Sequence, residues 1–274
     1  MPTRKRARTD LNVSKFILNC LPSPTPERDW GISAAMAAGI HAVAAPIPLS
    51  KNLREKWWTI GYQGGTGSCV GWGSADGVLR WHFTKAGKIK TNESLSVRYV
   101  WMAAKETDMY ATRPTTFIEQ EGTWLSAALD IAKKYGVVTS SVLPFENPAG
   151  SPELYTAGDE NAFYATASLR RIASYFNLGK KLADWRAWIA NNGPILTRLD
   201  VDTTWDNAHA THGNLDTYDA AHTRGGHCVA LVGYMPDRFI VRNSWGTSWG
   251  DGGFGYAADK YASAAFTEAY GVAL

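Results

Sequence analysis

An α+β fold is the expectation for this chain. Helical stripes fill its first half, and short β-like runs separated by turn-rich loops fill its second. Of its 274 residues 45% are apolar and 12 are tryptophan, enough for a substantial core, which excludes disorder of the whole chain.

Residues 1–56 have no clear period and contain Pro22, Pro24, Pro26, Pro46 and Pro48. They are expected to form an N-terminal leader or strap with one short helix over Ile32–Val43. Leu21–Trp30 should run extended, because proline restricts both itself and its predecessor. From Ser68 to Phe83 the residues Cys69, Trp72, Val78, Leu79 and His82 mark a helix despite Gly71, Gly73 and Gly77. Glycine is a poor helix former, so burial must sustain this helix. Ser94–Lys105 carries the stripe Val97, Val100, Trp101 and Ala104. Thr123–Tyr135 carries Trp124, Ala127, Ala128, Ile131 and Tyr135, with Thr123 as N-cap, Lys133 and Lys134 in the last turn and Gly136 as the stop.

The second half changes character. One helix, about Lys181–Asn191, carries Leu182, Trp185 and Ile189 and stops at Gly193. Strands are expected over Ile195–Val201, Cys228–Tyr234, Phe239–Asn243 and Phe254–Tyr256, with a long loop over Asp202–Gly226.

Composition narrows the function. The formal net charge is +3, but Arg4, Lys5, Arg6 and Arg8 supply four positives, so the remainder is near neutral and does not suggest a nucleic-acid surface. The basic tip is read as a solvated terminus rather than a targeting arm. Three cysteines, Cys20, Cys69 and Cys228, are too few for a disulfide framework. No apolar run approaches membrane-spanning length, and no apolar core follows the basic tip, so no signal peptide is evident. A reducing, cytoplasmic location is expected, with no membrane partner and no cofactor.

The chemistry concentrates in Gln63-Gly64-Gly65-Thr66-Gly67-Ser68-Cys69-Val70-Gly71-Trp72. Here a thiol sits where a glycine-rich turn enters a helix, and the positive end of the helix dipole favours the thiolate. The Gln63 side-chain amide and the Cys69 backbone N–H are two donors that can converge as an oxyanion hole. Downstream, Gly225-Gly226 precedes His227, and the apolar run after it makes a rigid base for the ring. Arg242-Asn243-Ser244-Trp245-Gly246 follows, and neighbouring strands would set Asn243 beside the imidazole to fix its tautomer. The other five histidines lack such a context; His222 is the nearest rival. A metal site is not expected: Cys69, His227 and Cys228 lack zinc-type spacing, and adjacent strand residues face opposite ways.

These Gln…Cys, His and Asn-Ser-Trp-Gly segments, in this order, resemble the papain-like cysteine proteases, from about residue 57 to the C-terminus. The resemblance implies a two-lobe fold, a helical lobe and an antiparallel β-barrel-like lobe with the cleft between them. It divides the chain into a leader over 1–56 and a catalytic domain over 57–274, split into lobes near residue 150. It implies an endopeptidase acting on peptide or protein through a thioester. Cys69 would be the nucleophile, resting as thiolate against a His227 imidazolium, and Asn243 would orient the ring. It places the Gly122-Thr123 backbone on one wall of the cleft, and counts Gly226, Cys228 and Trp245 among the lining residues, Trp245 shielding the His227–Asn243 bond. Arg198 falls where relatives carry a small apolar residue of the main specificity pocket, which implies an acidic or polar preference if the register holds.

Departures from the family pattern are also present. Val70 replaces the tryptophan that usually follows the nucleophile, with Trp72 as a possible compensation, and Cys228 stands where a small residue is usual. Thr66 occupies a position where many relatives have a disulfide cysteine. A Cys20–Cys69 disulfide is conceivable, but the simpler expectation is a free Cys69 and an inert, buried Cys228. The leader resembles the short ones of microbial relatives. Two roles fit residues near 11–30, a plug along the cleft or a strap on the domain surface, and the strap is the simpler one. Resolution of the thioester by an amine would make a peptide ligase or transpeptidase, and loss of hydrolysis a peptide-binding relative.

Overall fold

A computed structural model of the chain describes residues 13–42, 46–109, 122–146 and 158–274. The basic tip and the expected lobe boundary near residue 150 lie outside them. The central helix starts as α2 (Cys69–Gly71), runs on as a π-helical segment over Trp72–Leu79 and ends as α3 (Arg80–Lys85), close to the Ser68–Phe83 expected. Its glycines serve close packing: a Cβ on Gly71 would stand 2.7 Å from the Val97 carbonyl, and one on Gly73 2.4 Å from the Cys228 sulfur. Two longer helices, α4 (Val97–Met109) and α5 (Leu125–Lys134), complete the helical layer against it. The N-cap of α5 is the extended Trp124 rather than Thr123, whose hydroxyl donates to Asp108 Oδ2 at 2.7 Å instead.

The expected strands form β3 (Ile195–Asp202), β5 (Thr223–Met235), β6 (Arg238–Arg242) and β7 (Phe254–Ala258). They are joined by β1 (Lys51–Asn52), β2 (Ser174–Asn177), β4 (Asn214–Leu215) and β8 (Phe266–Ala273). The sheet order is β2-β8-β3-β5-β6-β7-β4, with β1 on β5, and pairing is antiparallel except for β4 with β7. The helix expected over Lys181–Asn191 is α7 (Leu182–Asn191), while α6 (Glu160–Ser168) and α8 (Asp259–Ala265) carry no clear signal in the sequence.

The N-terminal arm divides in two. Residues 26–31 lie along the β2 edge: Asn177 Nδ2 donates to the Pro26 carbonyl at 2.8 Å, and its backbone N–H to the Trp30 carbonyl at 2.8 Å. Pro26–Arg28 makes one 3₁₀ turn, so Leu21–Trp30 is not extended throughout. The short helix is α1 (Ile32–Ala37), and Val43, the expected end, lies outside the described residues. Residues upstream of Pro26 take a different path, described with the site below.

Two buried polar groups brace the central helix. Asp76 pairs with Arg80 at 3.1 Å and with Arg242, whose Nη1 donates to the Trp58 carbonyl at 3.0 Å. Trp58 in turn donates its indole N–H to the Asp76 carbonyl at 2.6 Å, and the Arg242 guanidinium stacks over the Trp58 ring at 4.6 Å. His82 is buried, and burial holds its imidazole down at about 4, against a smaller opposing contact with the Pro194 backbone. The unfolded chain therefore binds more protons than the folded one between pH 6.5 and 4. Stability is fully present above about pH 6.5 and is expected to fall by about 3 kcal/mol as pH drops towards 4. Urea unfolding at pH 7 and pH 4.5 checks this, with a flatter dependence expected in His82→Gln.

Candidate active site

Cys69 opens α2 and is fully buried, its helix held down by the glycine contacts just described. His227 lies on β5 and Asn243 one residue past the end of β6, and these strands pair through Ala230 and Arg242. The pairing brings His227 Nε2 to 2.8 Å from Asn243 Oδ1, which also accepts from the Ser244 backbone N–H at 2.8 Å. An oxygen that accepts from Ser244 is an acceptor for His227 too, so Nε2 carries the proton and Nδ1 keeps its lone pair. Nδ1 has no other partner, and the Cys69 thiol interacts with this ring. Trp245 lies against the imidazole at a ring separation of 5.0 Å.

Gln63 is buried, with its amide oriented from both ends. Ser244 Oγ donates to Oε1 at 2.9 Å, while Nε2 donates to the Thr66 carbonyl at 3.1 Å and reaches the Ile17 carbonyl at 3.5 Å. Ser244 lies inside the Asn-Ser-Trp-Gly segment, yet sequence reasoning gave it no part. Trp205 was missed as well: its ring stands edge-on to His227 at 5.7 Å and 89°, and its carbonyl accepts from the Trp249 indole. Trp72 does not supply the packing beneath the histidine that Val70 lacks. It packs instead against Gly61 and Phe145, and Trp205 serves from a loop with no period.

The leader runs through this site, which corrects the surface-strap expectation for the residues upstream of Pro26. Phe16 stacks on Trp245 at 4.6 Å with rings nearly parallel. The Cys20 N–H donates to the Gly226 carbonyl at 3.0 Å, and the Leu21 N–H to the Thr123 carbonyl at 3.1 Å. In the orientation that satisfies both its ends, the Asn19 amide accepts from the Gly122 N–H at 2.8 Å and donates to the Gly67 carbonyl at 3.2 Å. A Cβ at Gly122 would stand 1.6 Å from the Asn19 carbonyl, and only glycine permits that approach. Arg198 faces the same channel: Nε donates to the Cys20 carbonyl at 3.0 Å, Nη1 to Thr267 Oγ1 at 2.8 Å, and Nη2 pairs with Asp200 at 2.9 Å. Its register partner on β8, Glu268, accepts from the Ser23 N–H at 2.9 Å. Gln63, Cys69, Gly122, Thr123, Arg198, Gly226, Cys228 and Trp245 thus all lie about one strip of leader.

Three thiols meet there. Cys20 interacts with Cys69 on one side and Cys228 on the other, and all three are buried. Contact with the Cys20 thiol, then burial, pushes the Cys69 thiol well up, while His227 pulls it down less strongly. Burial raises Cys20 and Cys228 too. With the leader seated, the Cys20 contact and the exclusion of water favour the neutral Cys69 thiol over the expected thiolate, while the His227 contact favours the thiolate. Among the described residues no cluster of His, Cys, Asp and Glu could hold a metal ion, and no helix is long and apolar enough to cross a membrane.

Known proteins match this arrangement. The family described as "Papain family cysteine protease" matches residues 47–270. Digestive cysteine proteinase 2 of Homarus americanus is 27% identical over 250 residues, 81% of this chain and 68% of that protein. Cathepsin B-like CP2 of Giardia intestinalis is 25% identical over 229 residues, 76% of this chain and 68% of that protein. Among solved structures, xylellain, a cysteine protease from Xylella fastidiosa, superposes with a TM-score of 0.77 at 18% identity, covering 94% of this chain and 96% of that one. Procathepsin B S9 from Trypanosoma congolense gives 0.67 at 16% identity, covering 95% of this chain and 88% of that one. A family match over most of the chain, on a fold these structures share, shows that this chain belongs to the papain family of cysteine proteases.

Proposed function

We propose that the chain is an endopeptidase that hydrolyses peptide bonds through a thioester, with residues 13–23 of its own leader seated as the inhibitor. The observation that carries this reading is the His227 ring, held by Asn243 through Nε2 with its other nitrogen left for the Cys69 thiol. With the leader displaced, Nδ1 takes the Cys69 proton and the thiolate attacks the substrate carbonyl. The oxyanion then takes hydrogen bonds from the Cys69 N–H and from Gln63 Nε2, which the Ile17 carbonyl approaches while the leader is seated. His227 protonates the leaving amine and next activates water for deacylation. Ligation by an amine uses the same thioester, and competing amine nucleophiles would reveal it as ligated product. A reducing, cytoplasmic location belongs to this reading, since three cysteines are too few for a disulfide framework.

The autoinhibition is supported by the contacts of Phe16, Asn19, Cys20 and Leu21, and several structural neighbours are proforms of relatives. Intact-mass measurement of iodoacetamide uptake near pH 6 tests it on the full chain, on a form lacking residues 1–23 and on Phe16→Ala, which keeps the leader but loses the stack on Trp245. One fast adduct is expected in the shortened form, an intermediate rate in Phe16→Ala and slow uptake in the full chain, with Cys69→Ala unlabelled at that site. Equal rates in all forms would remove the leader from the account.

Arg198, with Asp200 and Glu268 about it, makes this stretch of the cleft polar, and the reading extends to a polar rather than a Leu or Phe side chain there. Peptide libraries compared on the shortened form are expected to favour the polar set. Arg198→Val should shift preference towards Leu severalfold, and an unchanged profile would detach Arg198 from specificity.

A further inference from the structure

We propose that Cys20 and Cys69 are a disulfide-forming pair, a reversible modification site through which peroxide locks the leader onto the nucleophile. The inference rests on Cys69 being the nucleophile, but its test reads a covalent bond rather than hydrolysis. Backbone geometry places the pair. The Cys20 N–H is tied to the Gly226 carbonyl and the Cys20 carbonyl to Arg198 Nε, each at 3.0 Å, and the preceding Asn19 packs on Gly67, two residues before Cys69, which brings the Cys20 thiol beside that of Cys69. The Cys69 thiol interacts with Cys20 and with His227, whereas Cys228 interacts with Cys20 and sits beneath Gly73. A disulfide draws two sulfurs to about 2.0 Å, a short step from thiol–thiol contact. Of the three thiols, only Cys69 has an imidazole lone pair beside it to accept its proton, so it is the one a small oxidant meets as thiolate.

The chemistry balances with hydrogen peroxide as the oxidant. When the leader shifts, His227 Nδ1 takes the Cys69 proton and the thiolate attacks one peroxide oxygen. An S–O bond forms and the O–O bond breaks. The departing hydroxide takes the proton from His227 and leaves as water, with sulfur oxidised by two electrons and peroxide reduced by two. As the leader reseats, the Cys20 sulfur attacks the Cys69 sulfenic acid, an S–S bond forms, the S–O bond breaks, and hydroxide leaves with the Cys20 proton as a second water. Without a resolving thiol so close, the sulfenic acid would go on to sulfinic acid, which thiol reductants do not reverse. The lock thus also protects the nucleophile.

The test is non-reducing peptide mapping of the full chain after two or more equivalents of hydrogen peroxide, on wild type, Cys20→Ser and Cys228→Ser. Wild type is expected to yield a Cys20–Cys69 linked peptide and an intact mass lower by two hydrogens. Its iodoacetamide uptake at Cys69 should disappear and return fully with dithiothreitol. Cys228→Ser should give the same link, and Cys20→Ser no leader link, with its Cys69 peptide gaining two oxygens. A bond mapped to Cys228, or a wild-type Cys69 that over-oxidises as fast as in Cys20→Ser, overturns the proposal. Failure of the nucleophile reading looks different: Cys69 would label slowly even in reduced protein lacking residues 1–23.

Discussion

Cys69→Ala, made in the form lacking residues 1–23, is expected to lose peptide hydrolysis by a factor on the order of 10⁶ in kcat while keeping its unfolding midpoint. The substitution removes one sulfur from a fully buried position and leaves the helix start and its glycine contacts in place. Chemistry and folding therefore separate cleanly here. Gln63→Ala in the same background removes one oxyanion donor and should cost roughly 10²–10³, with the thiol still labelled at the parental rate. Fluorogenic peptide hydrolysis reads both. Residual turnover within tenfold of the parent in Cys69→Ala would mean that the thiol is not the attacking group.

Asp76→Ala is expected to destabilise the fold by about 3–5 kcal/mol, because it leaves buried cations without their partner. The Arg242 side chain is 2% exposed and that of Arg80 9%, and both pair with this one carboxylate. Burial already presses the Arg242 guanidinium down, with Asp76 the main group opposing that shift. Urea midpoints at pH 7 measure the loss, and a change below about 1 kcal/mol would show that the network behaves like a surface pair. Arg242 immediately precedes Asn243, so the His227–Asn243 bond is expected to loosen as well, seen as lower kcat under conditions where the variant is folded.

Much of this was legible in the sequence because local patterns carried it. The run Cys228–Tyr234 is apolar and β-branched enough to announce β5, and the Gly-rich turn before Cys69 announced a thiol at a helix start. By contrast β8 contains Glu268 and Gly271 among alanines, and its strand character comes from pairing with β2 and β3. The Asp76–Arg242 pair joins residues far apart in the chain, and a charge on a helix reads as a solvated face until the fold closes over it. Trp205 and Ser244 act through contacts that no period encodes. Cys20 looked like a stray thiol in a proline-rich arm, and only tertiary placement sets it between Cys69 and Cys228. The upward push on the Cys69 thiol has no local signature either, since the leader's thiol and the exclusion of water cause it.

On the proposed autoinhibition, the two-part path of the leader sets how the cleft would open. Residues 26–31 stay clipped to the β2 edge through Asn177, downstream of the residues that fill the cleft. An upstream segment that swings out is therefore still tethered a few residues away, at a high effective concentration over its own binding site. Rebinding is then an intramolecular step, independent of dilution and faster than capture of most free peptides. Release alone is transient in such an arrangement. Cutting the stretch between Ser23 and Pro26 turns the tethered segment into a dilute peptide, so a single scission there converts a reversible equilibrium into a one-way commitment.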